Sequence, residues 1–211
     1  MSVRLDRGPA GSDGRNPRFV LASASPRRRR LLELIKARHH VHPSEVDETP
    51  FDDEPAAEFA GRAACDKASD VAVLFPDAPV LGADTVVEID GEILGKPDSP
   101  EHALEMLRRL SGRTHRVHTG VALVVGGARE HLVDSAAVHF ADVDDQLISW
   151  YVATGEPLDK AGAYAVQGCG GVLVSAIEGS PHTVIGLPLH LLPALFSALD
   201  LDFWDFVIDG R

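Results

Sequence analysis

The stretch FVLASASPRRRRLLELI, residues 19–35, constrains this chain more than any other. Phe19, Val20, Leu21 and Ala22 form a short apolar run suited to a buried strand. Ser25 stands where a helix N-cap belongs, and Pro26 takes the first helical position, where its missing N–H is no loss. Leu31, Leu32 and Ile35 then give an apolar stripe at helical spacing. Arg27 and Arg28 break the local rule. They fall in the first helical turn, where the helix dipole prefers acids and each cation costs about 0.3–1 kcal/mol. Two guanidinium forks beside helix N-terminal amides form an anion site suited to phosphate. With Arg29 and Arg30 they would equally make a solvated basic face. The strand ahead of them favours the anion site, because α/β proteins hold ligands at the carboxyl ends of strands.

The chain of 211 residues as a whole bears a formal charge of the opposite sense, −12. Nucleic-acid surfaces are basic, so a nucleic-acid polymer is not expected as a partner. A small anionic ligand meets a repulsive overall field and needs a local basic focus together with a divalent cation. No run approaches the roughly 18 apolar residues of a membrane span, and the first residues lack the apolar core of a signal peptide. Cys65 and Cys169 form no CxxC pair, so neither a disulfide framework nor a zinc site is indicated, and a cytoplasmic setting is the expectation.

Residues 1–18 are rich in Gly, Arg, Asp and Pro without periodicity and read as a flexible extension; residues 19–211 read as a single domain, with no repeat or linker that would divide them. His39, His40 and His42 lie near an expected strand, and a partly exposed strand explains them better than a metal site. The acidic segment SEVDET, residues 44–49, follows. Residues 55–74 are helical by pattern, with Lys67 near the middle. Residues 80–89 form a strand, Asp90-Gly91 a hairpin turn, and residues 92–94 the return.

Asp84 interrupts that apolar strand. Aspartate is disfavoured in strands, and a buried unpaired carboxylate costs several kcal/mol. It is expected to hold a cation, a metal or a proton, the alternative being a structural aspartate hydrogen-bonded to a neighbouring loop. Ser99-Pro100 opens another helix, stopped at Gly112. Residues 114–125 and 130–140 are strands joined through Gly126-Gly127, and the spacing of His115 and His118 puts them on opposite strand faces. Asp144 caps a helix to Ala153. Residues 156–171 read as a long loop holding Asp159, Lys160 and Gln167. Residues 172–177 and 182–185 read as a final hairpin around Gly179-Ser180, and residues 187–199 as a closing helix.

Together LASASPRRRRLLE, SEVDET, GADTVVEIDGEILGKP, LRRLSGRTHRVHTGVAL, YVATGEPLDKAGAYAVQG and IEGS…VIGLPL resemble the Maf family of nucleoside triphosphate pyrophosphatases. The resemblance runs from Phe19 to about Leu199. It implies an α/β fold: an elongated, mixed, curved sheet flanked by helices, in two lobes with a central cleft, like inosine triphosphate pyrophosphatases. It implies hydrolysis of a nucleoside triphosphate to monophosphate and pyrophosphate, with Mg²⁺ or Mn²⁺ and a possible homodimer. By the same resemblance Asp84 accepts the proton, and Glu48 joins it in catalysis or metal binding. Ser23, Arg27 and Arg28 bind phosphate, and Lys67 and Lys96 line the site. Thr85 and Gln167, with the arginine turn, are tied to base specificity. The AGAYAVQG form resembles the subgroup acting on dTTP and UTP, although Ala165 stands where glycine is common, and modified nucleotides are a further possible class. A non-catalytic nucleotide-binding regulator of cell division is the rival reading, since the anion turn would serve it too; a monophosphatase is the third.

Overall fold

The computed structural model describes residues 18–207. The extension expected over residues 1–18 lies, apart from Arg18, outside them. Phe19–Leu21 (β1) enters the core and Pro26–Leu34 (α1) follows, with the Ser25 side chain accepting from the Arg28 N–H as the cap requires. His39–Val41 (β2) and Ala56–Ala72 (α2) come next, then Val80–Ile89 (β3) and Glu92–Leu94 (β4). Pro100–Leu110 (α3) is capped by Ser99, whose side chain accepts from the His102 N–H. Thr114–Val125 (β5), Ala128–Phe140 (β6) and Asp145–Ala153 (α4) complete the regular part.

These strands form one mixed sheet flanked by helices, the α/β architecture the sequence suggests. Its order is β2-β1-β3-β5-β6, followed by Val174–Glu178 (β7), with β4 also paired to β3. β1 is parallel to β2 and β3, and the other pairings are antiparallel. Two strands share one edge of β3. β1 pairs with Val80 and Leu81, whereas β4 pairs with Val87, Glu88 and Ile89. Among the described residues no strand pairs with positions 82–86 on that side. The edge therefore opens where β1 ends, and Asp84 and Thr85 lie in the opening.

The apolar core collects to either side. Val87, Leu107, Ile148, Tyr151 and Leu173 belong to one buried cluster. Phe19, Leu21, Leu81, Leu123 and Phe196 belong to another. α2 crosses the opposite face of the sheet at a distance that excludes side chains. A Cβ added at Gly82 would lie 2.2 Å from the Ala64 carbonyl oxygen, and one at Gly120 would lie 2.1 Å from that of Ala60.

Three C-terminal expectations are corrected. Residues 182–185 are not a strand: Pro181–Ile185 is a short helix (α5), and β7 pairs instead with β6. Ser180-Pro181 is a helix start rather than a hairpin turn, with Pro181 at a position needing no N–H, and Gly186 closes the helix at φ 117°. The closing helix is broken into a 3₁₀ turn, Leu189–Leu191, and a short helix, Leu192–Ser197 (α6), because Pro193 cannot donate back into a preceding turn. The long loop holds three 3₁₀ turns, Glu156–Asp159, Ala161–Ala163 and Gly168–Leu173.

The close seating of α2 yields a test. Gly120→Ala should lower the unfolding free energy by about 3 kcal/mol, since the methyl group meets backbone that cannot yield. Thermal or urea denaturation reads the loss; an unchanged midpoint would contradict the packing.

Candidate active site

The open edge of β3 forms the floor of a cleft of about 320 Å³. Ser23, Arg27, Arg28, Glu48, Lys67, Asp84, Thr85, Lys96 and Gln167, the nine residues singled out from the sequence, all line it. Asp159, Lys160 and Tyr164 line it as well. The sequence places the first two in the long loop and assigns them no role. Tyr164 had no signal, because a lone aromatic in a polar loop looks like ordinary packing.

At the centre is Lys67. Its ammonium lies 2.6 Å from Asp84 Oδ1 and 2.9 Å from Glu48 Oε2. Lys67 and Asp84 are both buried, and the pair answers the question raised by an aspartate in an apolar strand. α2 delivers the lysine because Gly82 and Gly120 let the helix descend onto the sheet. Glu48 arrives from the segment after β2. Burial works against its carboxylate, but the hydrogen bond and charge of Lys67, with Lys96 and Arg28, hold it below the usual carboxylate range.

Arg28 is less free than the sequence suggests. It is buried, and its guanidinium is tied at three points. Nε donates to the Gly186 carbonyl at 2.8 Å, Nη1 to Ser23 Oγ at 2.9 Å and Nη2 to Thr85 Oγ1 at 3.1 Å. Burial draws its pKa below the ordinary guanidinium value, opposed by the charge of Asp84. Two of its five N–H donors stay available to a ligand. Arg27 is half-buried and close enough to Asp159 to help lower that carboxyl, after the hydrogen bond of Lys160. The cleft thus presents one tethered guanidinium and one half-buried guanidinium.

The loop bearing Gln167 is clamped rather than loose. Glu156 accepts from the Tyr151 hydroxyl at 3.0 Å and from the N–H groups of Cys169 and Gly170 at 3.1 and 3.0 Å. The same tyrosine oxygen accepts from the Ala165 N–H at 3.1 Å. Burial raises the Tyr151 phenol, so it stays protonated and able to donate. Gln167 is carried on a loop fixed at both flanks.

Asp84 and Glu48 converge on one cation, which makes them a fitting pair for a divalent ion. Among the described residues no group of three or more His, Cys, Asp or Glu is arranged to hold a metal unaided. Mg²⁺ needs no such cage: one or two carboxylates with substrate phosphates suffice. His115 and His118 are separated as their spacing requires, His115 bonded to Tyr164 Oη at 2.7 Å and His118 to Glu88 at 2.8 Å and Ser135 at 2.7 Å.

Comparison with known proteins bears on this arrangement. A family model described as "Maf-like protein" matches residues 18–199. The chain belongs to the Maf-like family. A Myxococcus xanthus protein named "dTTP/UTP pyrophosphatase" is 52% identical over 183 residues, covering 87% of this chain and 93% of that one. A Pyrococcus furiosus protein of the same name is 43% identical over 179 residues, covering 83% and 92%. Among solved structures, the Staphylococcus aureus Ham1 protein superposes with a TM-score of 0.50 at 17% identity, covering 86% of this chain and 99% of that chain. That likeness concerns the fold. No helix among the described residues is long and apolar enough to cross a membrane.

The wall of this Maf-like cleft makes a pH prediction. His115 packs edge-on to Tyr164 and Phe140, and burial holds its imidazole down at about 4, from 6.5. The unfolded chain takes up that proton first. Stability should therefore be full above pH 6.5 and fall as pH drops toward 4, by up to about 1.4 kcal/mol per pH unit. Equilibrium unfolding should show a flatter acid limb in His115→Gln. Equal slopes in variant and parent would contradict the assignment.

Proposed function

We propose that this chain hydrolyses a nucleoside triphosphate, dTTP or UTP, to the monophosphate and pyrophosphate. The observation that carries the reading is the buried Asp84–Lys67 pair, met from the exposed side by Glu48 and set beside two arginines in a single cleft. The names of the relatives support the substrate. The apolar clusters on either side are read as two lobes of one catalytic unit.

The triphosphate lies along the cleft. Arg27, the available N–H groups of Arg28, the amides opening α1, and Lys96 take its phosphate oxygens. Asp84 and Glu48 would hold Mg²⁺ or Mn²⁺, which when bound neutralises phosphate charge. Water attacks the α-phosphorus, and the bond to the oxygen leading to the β-phosphorus breaks. Asp84 accepts the water proton and pyrophosphate departs. Lys67 fixes the Asp84 carboxylate in orientation and keeps Glu48 beside it. The residues act mainly by positioning and charge stabilisation. Gln167 reads the base edge from its clamped loop.

The reading includes a cytoplasmic setting and leaves room for a homodimer. A regulator that only binds nucleotide would have no use for a carboxylate and a lysine buried together beside the phosphates.

Two variants test the roles. Asp84→Asn should lower kcat for dTTP by about 10²–10⁴-fold while nucleotide still binds, the size expected for loss of a general base. Arg27→Ala should raise KM about tenfold with little change in thermal midpoint, because Arg27 carries none of the tethers of Arg28. Turnover by the Asp84 variant at the parent rate, or an unmoved KM, would overturn the respective role.

A further inference from the structure

Three threonines on three elements form a single file of hydrogen bonds running inward from the cleft. Thr85 on β3 lines the cleft; Thr119 on β5 is opposite it in register; Thr183 is in α5. Thr119 and Thr183 are both 0% exposed, so water does not compete for their groups.

The protons in this file can be assigned. Thr119 Oγ1 lies 2.7 Å from the Thr183 carbonyl oxygen. A carbonyl only accepts, so the single hydroxyl proton of Thr119 goes there. The Thr85 and Thr119 hydroxyls are 3.0 Å apart, and Thr119 has no proton left to share. Thr85 must donate. On its other side Thr85 Oγ1 accepts from Arg28 Nη2 at 3.1 Å. Thr85 thus reaches the cleft with its proton turned inward and one lone pair unused. The site also hems its hydroxyl: a Cβ at Gly186 would come within 3.1 Å of Oγ1. The inner end is anchored as well, since the Thr183 hydroxyl donates to Asp134 and the Thr183 N–H donates to the Ser180 carbonyl at 3.1 Å.

We propose that Thr119 is a positioning residue that makes Thr85 an acceptor-only group toward substrate, so that Thr85 selects a nucleoside presenting a hydrogen-bond donor. The inference rests on the nucleotide reading above. Two groups of dTTP carry such a donor: the imide N–H of the base and the 3′-hydroxyl of the sugar. Replacing Thr119 by an apolar isostere removes the inward acceptor, and the Thr85 proton becomes free to turn into the cleft. The preference for a donor is then lost although Thr85 itself is untouched.

The test compares dTTP, N3-methyl-dTTP and 2′,3′-dideoxy-TTP as substrates for the parent, Thr119→Val and Thr119→Ser, with thermal midpoints measured alongside. In the parent, one derivative should lose about tenfold or more in kcat/KM relative to dTTP, and which one identifies the donor. In Thr119→Val that loss should shrink to about threefold or less, and Thr119→Ser should restore it. A methyl group rejected by bulk alone would be rejected equally by Thr119→Val. The proposal is overturned if the parent uses both derivatives within about threefold of dTTP, or if Thr119→Val slows all three nucleotides by a common factor. Should the valine variant not fold, the parent series decides the donor and Thr119→Ala replaces valine. Should the parent release no pyrophosphate from dTTP, the activity reading fails by itself. Calorimetric binding of the same three nucleotides then tests the threonine file, with the same fold-differences expected in Kd.

Discussion

The ammonium of Lys67, held between Asp84 and Glu48, is the contact on which this architecture turns. Three chain segments meet there: a helix, a central strand and an irregular acidic stretch. A buried carboxylate without its cation would be strongly unfavourable, and so would the lysine without its carboxylates. The pair therefore demands close approach of α2 to the sheet, and Gly82 and Gly120 supply it by leaving no side chain in the way. Burial, charge and backbone packing at this point are a single constraint.

A second network joins the opposite wall. Arg28 links the end of β1, the middle of β3 and the turn closing α5. A cation at the start of a helix is unfavourable in isolation, yet here its N–H groups are taken up by a carbonyl and two hydroxyls while Asp84 offsets its charge. The result is a tethered guanidinium next to a half-buried one. The gap in the edge pairing of β3, between the reach of β1 and that of β4, is what lets both networks face the same space.

Much of this was legible in the residues. The strand, Ser25 cap, Pro26 and arginine turn announced an α/β unit whose two arginines line the cleft, and Asp84 in an apolar strand announced a buried charge. The Lys67 partnership was not readable: a lysine in a helix looks solvated until the tertiary approach of α2 is known, and only the family resemblance marked it. The terminal hairpin failed because a Gly-Ser pair fits a turn and a helix start alike, and Pro181 decided between them. The tether of Arg28 to Gly186 spans 158 positions, and the threonine file depends on strand register, so neither leaves a local trace.

The most direct test of the central claim is chromatographic identification of the products that the parent enzyme forms from dTTP. Convergence of the arginine turn and Asp84 on one triphosphate predicts dTMP and pyrophosphate in equal amounts. Formation of dTDP and orthophosphate, or recovery of intact dTTP, would contradict it.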